Sequence, residues 1–479
     1  MAAQTVLAVD LGAESGRVMA VGFDGASLQV EELHRFANTP VSVRGTRHWD
    51  ALGLWREITT GLEKGKLRRP ASLGVDTWGV DFALLDAQGA LLGNPVHYRD
   101  ARTTGMMEAV FSRVPRAEVF AQTGIQFIPI NTLYQIMSLV RQRSPQLDIA
   151  ATFLTIPDLL NYWLTGARVC EFTNATTTQM FNPRTGAWAT DLLRRLDIPT
   201  HIFPEVVQPG TRLGQYEGID VVAPACHDTG SAVAAVPAGP APYAYISSGT
   251  WSLVGLEVDD PVIDDAALAA NVTNEGGVNG TFRLLKNVMG LWILQQCRHT
   301  WAQAGEAYSY EELVKLARQA PPLRSLFAVD DDLLLPPGDH PQHVRALCAR
   351  SGQAIPATPG AIVRAVLESL ALAYRHVLDL LQAVTGKPVD VIHIVGGGSQ
   401  NELLNQMTAN ACGRPVLAGP VEATVIGNAL VQLIAQGEMS DLRQAREVVA
   451  NMLELRRYEP QEQAGWAAAY ERYRELIAT

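Results

Sequence analysis

No stretch of this 479-residue chain approaches the ~18 consecutive apolar residues that a membrane-spanning helix requires. The N-terminus, MAAQTVLAVDLGAESGR, has no basic region ahead of its first apolar run, so it does not read as a signal peptide. Cysteine is scarce. Five residues, widely spaced and without a C-x-x-C pair, argue against a disulfide framework or zinc ribbon and make a reducing cytoplasm the expected location. Positive charge is short as well: 38 Lys and Arg stand against 49 Asp and Glu, a net charge of −11. With no basic block or aromatic-studded basic stripe, no nucleic-acid or membrane partner is expected. The chain lacks G-x-x-x-x-G-K-[ST], and no G-x-G-x-x-G follows a strand within a βαβ unit. An anionic ligand must therefore rely on backbone N–H groups and a metal ion, which directs attention to glycine turns.

What is present is ordinary globular material, 47% hydrophobic and 18% charged, in a chain long enough for two or three domains. VLAVD and RVMAVGF flank LGAESG, which predicts strand, glycine turn, strand. The segment SLGVDTWGVDFALLDAQG (72–89) is strand-like with a tight centre. Helices are expected around 105–115 and 131–142, and over 156–166, closed by Gly166. VPAGPAP (236–242) cannot continue a helix or a central strand, and the domain boundary is placed there, giving 1–238 and 239–479. Directly afterwards YAYISSGTWSLVGLEV (243–258) repeats the opening plan. Two halves that each open on a glycine hairpin predict two similar α/β domains facing a cleft. The closing segment QAGWAAAYERYRELIAT reads as an amphipathic packing helix.

Three glycine turns offer phosphate seats. In DLGAESGR, Gly12 and Gly16 let the backbone approach a bound group, Ser15 adds a hydroxyl and Arg17 a planar cation. Asp10, ending the first strand, is placed to hold Mg2+ through water. In SSGT, Thr250 supplies a hydroxyl. In VGGGSQNELL, Gly396, Gly397 and Gly398 precede a helix, whose first N–H groups can seat an anion or nucleoside, and Ser399 with Glu402 has capping-box spacing.

The stretch ACHDTGSAV sets Cys226, His227 and Asp228 side by side. Adjacent residues point to different faces, which argues against a nucleophile–base–acid triad, and no second His or Cys stands at metal-ligand spacing. Asp228 reads either as the N-cap of a small apolar helix, TGSAVAAV, or as the base that takes a substrate hydroxyl's proton during phosphoryl transfer. Residue logic leaves both open. Cys226 reads as a small core hydrophobe. In FRLLKNVMGLWILQQCRHTW, Asn287, Leu291 and Gln295 recur at i, i+4, i+8, predicting a helix capped by Asn287 whose polar edge faces a ligand, or else an ordinary cap with an exposed Gln.

Taken in order, DLGAESGR, GVDTWGVDFALLD, HYRDART, ACHDTGSAV, ISSGTWSLVG, NVMGLW and GGGSQN resemble the FGGY carbohydrate kinases, over about residues 5 to 440. The resemblance implies two actin/hexokinase-like (ribonuclease H-like) α/β domains around a central cleft. The N-terminal domain would be the sugar side and the C-terminal domain the nucleotide side, and the last helix would pack back across the domains. It implies ATP and Mg2+ as cofactors and a ketose substrate, with L-rhamnulose phosphorylated at its 1-hydroxyl and L-fuculose or L-ribulose as alternatives. By the same resemblance Asp228 is the proton acceptor, while Gly79, His227, Thr229 and Asn287 lie at the sugar. Ala13, Glu14, Ser15, Gly16, Arg17 and Thr250 lie at the phosphates, and Gln295 with Gly396 to Gly398 at the nucleotide. Glu14 is an unexpected carboxylate for a phosphate loop and is expected to point to solvent or metal. Substrate choice is assigned to the surroundings of Trp78, Gly79, Asp81, Tyr98, Arg99 and Asp100, and the assembly to a monomer or homodimer.

Overall fold

The computed structural model describes residues 4–478. It divides the chain into two compact units, and the chain moves between them several times. The first unit comprises 1–237, 257–284 and 423–453; the second comprises 238–256, 285–422 and 454–479. Two later excursions thus return to the first unit.

In the first unit, strands β1 (Gln4–Leu11), β2 (Ser15–Phe23), β3 (Leu28–Ala37), β4 (Ser72–Thr77), β5 (Arg212–Tyr216) and β6 (Ile219–Val222) form one sheet in the order β5-β6-β4-β1-β2-β3. β1 runs antiparallel to β2 and parallel to β4, with Asp10 opposite Arg17 on one side and Asp76 on the other. The last six residues of β1 and all of β4 are buried. That accounts for the near-continuous apolar runs VLAVDL and SLGVDT: both faces of a central parallel strand are covered, so hydrophobic and polar residues need not alternate. Helix Ala51–Lys66 covers the sheet with Leu54, Ile58 and Leu62 buried. Helix Ile156–Thr165 ends on Gly166 at φ 80°, as the sequence indicates.

The excursion 423–453 supplies helix Ala423–Ala435, which packs on β1 and β4 and against the short helix Asp228–Ala234. The two helices touch closely enough that a Cβ on Gly427 would sit 1.7 Å from the Ser231 carbonyl oxygen, so this position accepts no side chain. Gln432 Nε2 donates to Leu7 O (2.9 Å) and Asn428 Oδ1 (2.6 Å), while Gln432 Oε1 accepts from Ser72 Oγ (2.7 Å). Buried amides on a covered sheet are satisfied in this way.

The second unit repeats the plan. β7 (Tyr243–Ser248) and β8 (Trp251–Val258, up to Leu256 in this unit) form the hairpin, and β9 (Phe282–Met289, from Leu285 in this unit) flanks β8. On the other side, β10 (Val391–Val395) and β11 (Val416–Ala418) continue in parallel from β7, and β12 (Arg456–Tyr458) closes the edge antiparallel. In each sheet a hairpin's first strand pairs parallel with a strand far along the chain. Helix Pro359–Thr385, capped by Thr358 and ended by Gly386 at φ 66°, is the main apolar support. The final helix, Gln463–Ile477, buries Trp466, Ala469, Tyr470 and Tyr473 within the second unit. No helix among the described residues is long and apolar enough to cross a membrane.

Candidate active site

At the ends of β1 and β4 the first unit gathers three carboxylates. Asp10 is nearly buried and its Oδ2 accepts from Arg17 Nη2 at 2.5 Å. Asp76, the neighbouring residue in register, is fully buried; Asn428 Nδ2 donates to its Oδ2 at 2.6 Å, and its Oδ1 has no hydrogen-bond partner. Burial, and after it the charge of Asp10, pushes the Asp76 carboxyl well above its usual range. Asp228 is the third. Its side chain is 29% exposed. Burial also raises its pKa and the charge of Asp10 adds to this, whereas His227 and Thr229 work the other way.

The backbone around Asp228 is fixed by neighbours distant in sequence. Thr77 N donates to Cys226 O (2.9 Å), and His227 pairs with Thr77 as a parallel bridge. Cys226 N donates to Glu171 Oε2 (3.1 Å) and His227 N to Thr173 Oγ1 (3.0 Å). The extended bridge to Thr77 ends at His227, and the helix begins at Asp228, one residue earlier than expected. His227, not Asp228, therefore takes the cap position, with no side-chain cap bond, and Asp228 is the first helical residue. This corrects the expected N-cap. Asp228 Oδ1 accepts instead from Thr229 N (2.6 Å) and Thr229 Oγ1 (3.2 Å). Cys226 is fully buried, as expected of a core residue.

Gly79 stands beside this group: a Cβ there would meet Thr177 Oγ1 at 3.2 Å and His227 Nε2 at 3.3 Å. The next residue, Val80, has φ 66°, a costly conformation for a β-branched side chain. A turn closed by Asp81 N to Gly79 O (2.9 Å) holds it there, with Val80 N donating to Thr177 Oγ1 (3.1 Å) and Thr132 Oγ1 donating to Val80 O (2.6 Å). Asp81 itself faces inward. It accepts from Trp49 Nε1 (2.5 Å), Trp78 Nε1 (3.0 Å), Gln135 Nε2 (3.0 Å) and Tyr98 N (3.2 Å), and burial lifts it to about 6. Trp78 and Tyr98 are buried in the hydrophobic core. Asp100 is occupied with Arg102 N (2.9 Å) and Arg47 N (2.8 Å), and Arg99 lies over the Tyr98 ring. Of the side chains assigned to substrate choice, Trp78, Asp81 and Tyr98 are thus buried, and Asp100 is half-buried.

In the hairpin DLGAESGR only Gly12, Ala13 and Glu14 form the turn, closed by Gly12 N to Ser15 O (2.9 Å); Ser15, Gly16 and Arg17 already belong to β2. Glu14 is exposed.

The second unit brings Thr250, Gln295 and the triple glycine to the same end of its sheet. Gln295 Nε2 donates to Thr250 Oγ1 at 3.4 Å, and Gln295 Oε1 is buried with no hydrogen-bond partner. Leu291 N and Trp292 N donate to Gly249 O and Thr250 O, tying helix Trp292–Gln303 to the hairpin turn. Asn287 is not on that helix. β9 runs on through Met289, whose N–H donates to Asp330 Oδ1 (2.6 Å), so the helical face expected of Asn287, Leu291 and Gln295 does not form. Gly396 has φ 83°, and a Cβ on Gly398 would lie 2.0 Å from Ser248 Oγ, whereas Gly397 is exposed and open. A 3-10 turn, Gly397–Gln400, separates the glycines from helix Glu402–Cys412, which Asn401 caps by accepting from Leu404 N. The expected Ser399–Glu402 capping box is therefore absent; Ser399 Oγ donates back to Gly396 O.

Sequence reasoning missed Asp76, Thr177, Glu275, Arg283 and Asn428. A signal existed for two of them. Asp76 interrupts the apolar run SLGVDT at the place where Asp10 interrupts VLAVDL, and Arg283 is a lone cation in TFRLL.

Two sheets of the same hairpin-led plan, each with polar groups at one end, make up the two-domain α/β fold of the actin and hexokinase type. A gluconate kinase from Lactobacillus acidophilus has this fold, matching with a TM-score of 0.80 over 100% of this chain and 97% of that one at 16% identity. The chain belongs to the FGGY family of carbohydrate kinases, whose N-terminal domain matches residues 5–220 and C-terminal domain residues 244–436. A rhamnulokinase of Bacteroides thetaiotaomicron is 45% identical over 99% of both chains. One of Pectobacterium carotovorum is 42% identical over 99% of this chain and 97% of its own. Family membership makes the protein a phosphotransferase that uses ATP and a sugar.

Proposed function

We propose that this protein transfers the γ-phosphoryl group of ATP to the 1-hydroxyl of L-rhamnulose, giving L-rhamnulose 1-phosphate and ADP. The observation that supports the reaction is Asp228. It is a partly exposed carboxylate at the mouth of a buried helix, raised in pKa and therefore a better base, with Gly79 and Thr229 beside it through His227 and the helix backbone. The choice of sugar rests on the near full-length likeness to proteins named rhamnulokinase.

In this reading Asp228 accepts the proton of the sugar's 1-hydroxyl as that oxygen attacks the γ-phosphorus, and the bond to the ADP oxygen breaks. His227, Thr229, Gly79 and Asn287 position the sugar. The turn and strand start of Ala13, Glu14, Ser15, Gly16 and Arg17, with Thr250, bind the phosphates, and Gln295 with Gly396 to Gly398 receives the nucleoside. The orphaned Gln295 Oε1 suits a hydrogen-bond donor of that ligand.

Magnesium suits Asp10. No group of three or more His, Cys, Asp or Glu among the described residues can ligate a metal directly. Yet Asp10, Asp76 and Asp228 gather three carboxyl groups near one arginine, and Mg2+ commonly binds through water, one or two carboxylates and substrate phosphates. When bound it would neutralise charge on the transferring phosphoryl group. All five cysteines are unpaired, the state that a reducing cytoplasm maintains, and the proposed location is cytoplasmic.

An ADP-release assay over a panel of ketoses and aldoses tests the assignment. L-Rhamnulose should give the highest kcat/KM; higher values for L-fuculose or L-ribulose would reassign the substrate.

A further inference from the structure

Behind His227 lies a buried ion pair that the phosphoryl-transfer scheme does not use. Arg283 is fully buried in β9, and Glu275, on strand Thr273–Gly276, is nearly so. Arg283 Nε donates to Gly276 O at 2.8 Å, which fixes the guanidinium plane. Its Nη2 lies 3.1 Å from His227 Nδ1 and 3.2 Å from Glu275 Oε2, and Glu275 Oε2 is itself 3.1 Å from His227 Nδ1. On the far side of the ring, His227 Nε2 is 3.4 Å from Asp228 Oδ1 and borders Gly79.

Two neighbours make opposite demands on Nδ1: a carboxylate asks it to donate, a guanidinium asks it to accept. Arginine does not lose its proton in proteins, so Nη2 can only donate. The Arg283–His227 contact meets hydrogen-bond geometry, while Glu275 is engaged as the counter-charge of Arg283. An unbalanced guanidinium at this depth would be costly, and Glu275 removes that cost.

We infer that Arg283, neutralised by Glu275, is a positioning residue that fixes His227 as the Nε2–H tautomer. The ring thereby presents a donor to Asp228 and to the sugar hydroxyl beside Gly79. The inference rests on the reading of Asp228 as base. Without Arg283, Glu275 draws the proton to Nδ1, Nε2 becomes an acceptor, and the ring opposes the Asp228 carboxylate with a lone pair. The charged groups around the ring are Asp228 on its own helix, Glu275 and Arg283 behind it, and Glu171 on the neighbouring segment, which is committed to Cys226 N, Thr173 and Asn174 N.

The test is long-range 1H–15N NMR of the full-length protein labelled at histidine, with the His227 signals assigned by their loss in His227→Gln. The wild type should show a protonated Nε2 and a bare Nδ1; a protonated Nδ1 overturns the inference. Arg283→Met should exchange the two signals, lower kcat and raise the sugar KM for a combined loss of roughly 10- to 100-fold, and leave the ATP KM unchanged. Arg283→Lys, which keeps a donor, should recover part of the loss. Glu275→Gln should keep the wild-type tautomer, and exchange there but not in Arg283→Met overturns the assignment to Arg283. Near-normal turnover by Asp228→Asn would reject the base reading instead, whatever the tautomer, so the two failures are distinguishable.

Discussion

The hairpin β1–β2 and the hairpin β7–β8 share a plan but carry different polar groups. In each, the first strand pairs antiparallel with its hairpin partner and parallel with a strand far along the chain. The end of the first is charged: Asp10 pairs with Arg17, and Asp76 and Asp228 respond to the charge of Asp10. The end of the second is neutral, with Thr250, Gln295 and a glycine packed on Ser248. One backbone solution thus serves two tasks. Under the proposed function, the charged end would manage metal and proton and the neutral end would receive nucleotide, because charge is worth most where it meets charge in a partly dry site.

Substitutions at the charged end should cost the most. Asp228→Asn should lower kcat about 10³-fold in the ADP-release assay with little change in melting temperature, since the base is lost while the helix start is kept. An activity near wild type would remove the contrast between the two ends. The pH profile sharpens it further. Asp228 must be ionised to act and its pKa is raised, so kcat/KM should climb with pH along a limb above the usual aspartate range. Asp10→Asn removes one cause of the raise and should move the residual activity's limb to lower pH.

The neutral end should respond through ATP affinity. Gln295→Ala should raise the KM for ATP about 5- to 10-fold, the worth of one or two hydrogen bonds, and leave the sugar KM alone. The smallest kinetic effect is expected at Glu14, whose exposed side chain should allow Glu14→Gln to keep the ATP KM within about twofold.

Stability offers an independent comparison. Burial lifts Asp158 to about 7 and Glu171 to about 8 in the first unit, against about 6 for Asp330 in the second. The folded state retains these protons at pH values where the unfolded chain, with carboxyls near their ordinary range, has released them. The contribution is therefore complete below about pH 4 and is lost as pH rises toward 8. Urea midpoints should fall over that interval, and Glu171→Gln should flatten the decline; a midpoint that rises with pH would contradict the burial argument.

The strands, the glycine turns and the small apolar helix after Asp228 were legible because each rests on local pattern: apolar runs, turn residues, and a stretch with no bulky side chain. Where local pattern failed, tertiary pairing decided. Asn287 stands after a strand in a position that suits a helix cap, but β9 runs two residues past it, and backbone bonds to Gly249 and Thr250 set the start of the following helix. Asp228 has the composition of a cap, yet the extended residue bridged to Thr77 is His227, which takes the cap position, and the helix starts one residue earlier, at Asp228. The partners of Asp81 were likewise not legible: two indoles, one of them 32 residues away, hold its carboxylate.

The sequence by itself determined the two hairpin-led halves, the absence of a long apolar span, and Asp10 and Asp228 as the carboxylates to watch. The halves and the missing span follow from spacing and composition, which short-range sterics and burial translate directly into strands and turns, whereas the base role of Asp228 comes from the family resemblance. Only the tertiary structure decided that Asp76 stands beside Asp10 with an unpartnered oxygen. It alone set Arg283 and Glu275 behind His227, and returned residues 423–453 to the first unit so that Asn428 and Gln432 satisfy its sheet. The reason is physical. A buried polar group is specified by the partner that satisfies it, and here those partners lie 48 to 56 residues apart in one case and more than 350 in the other.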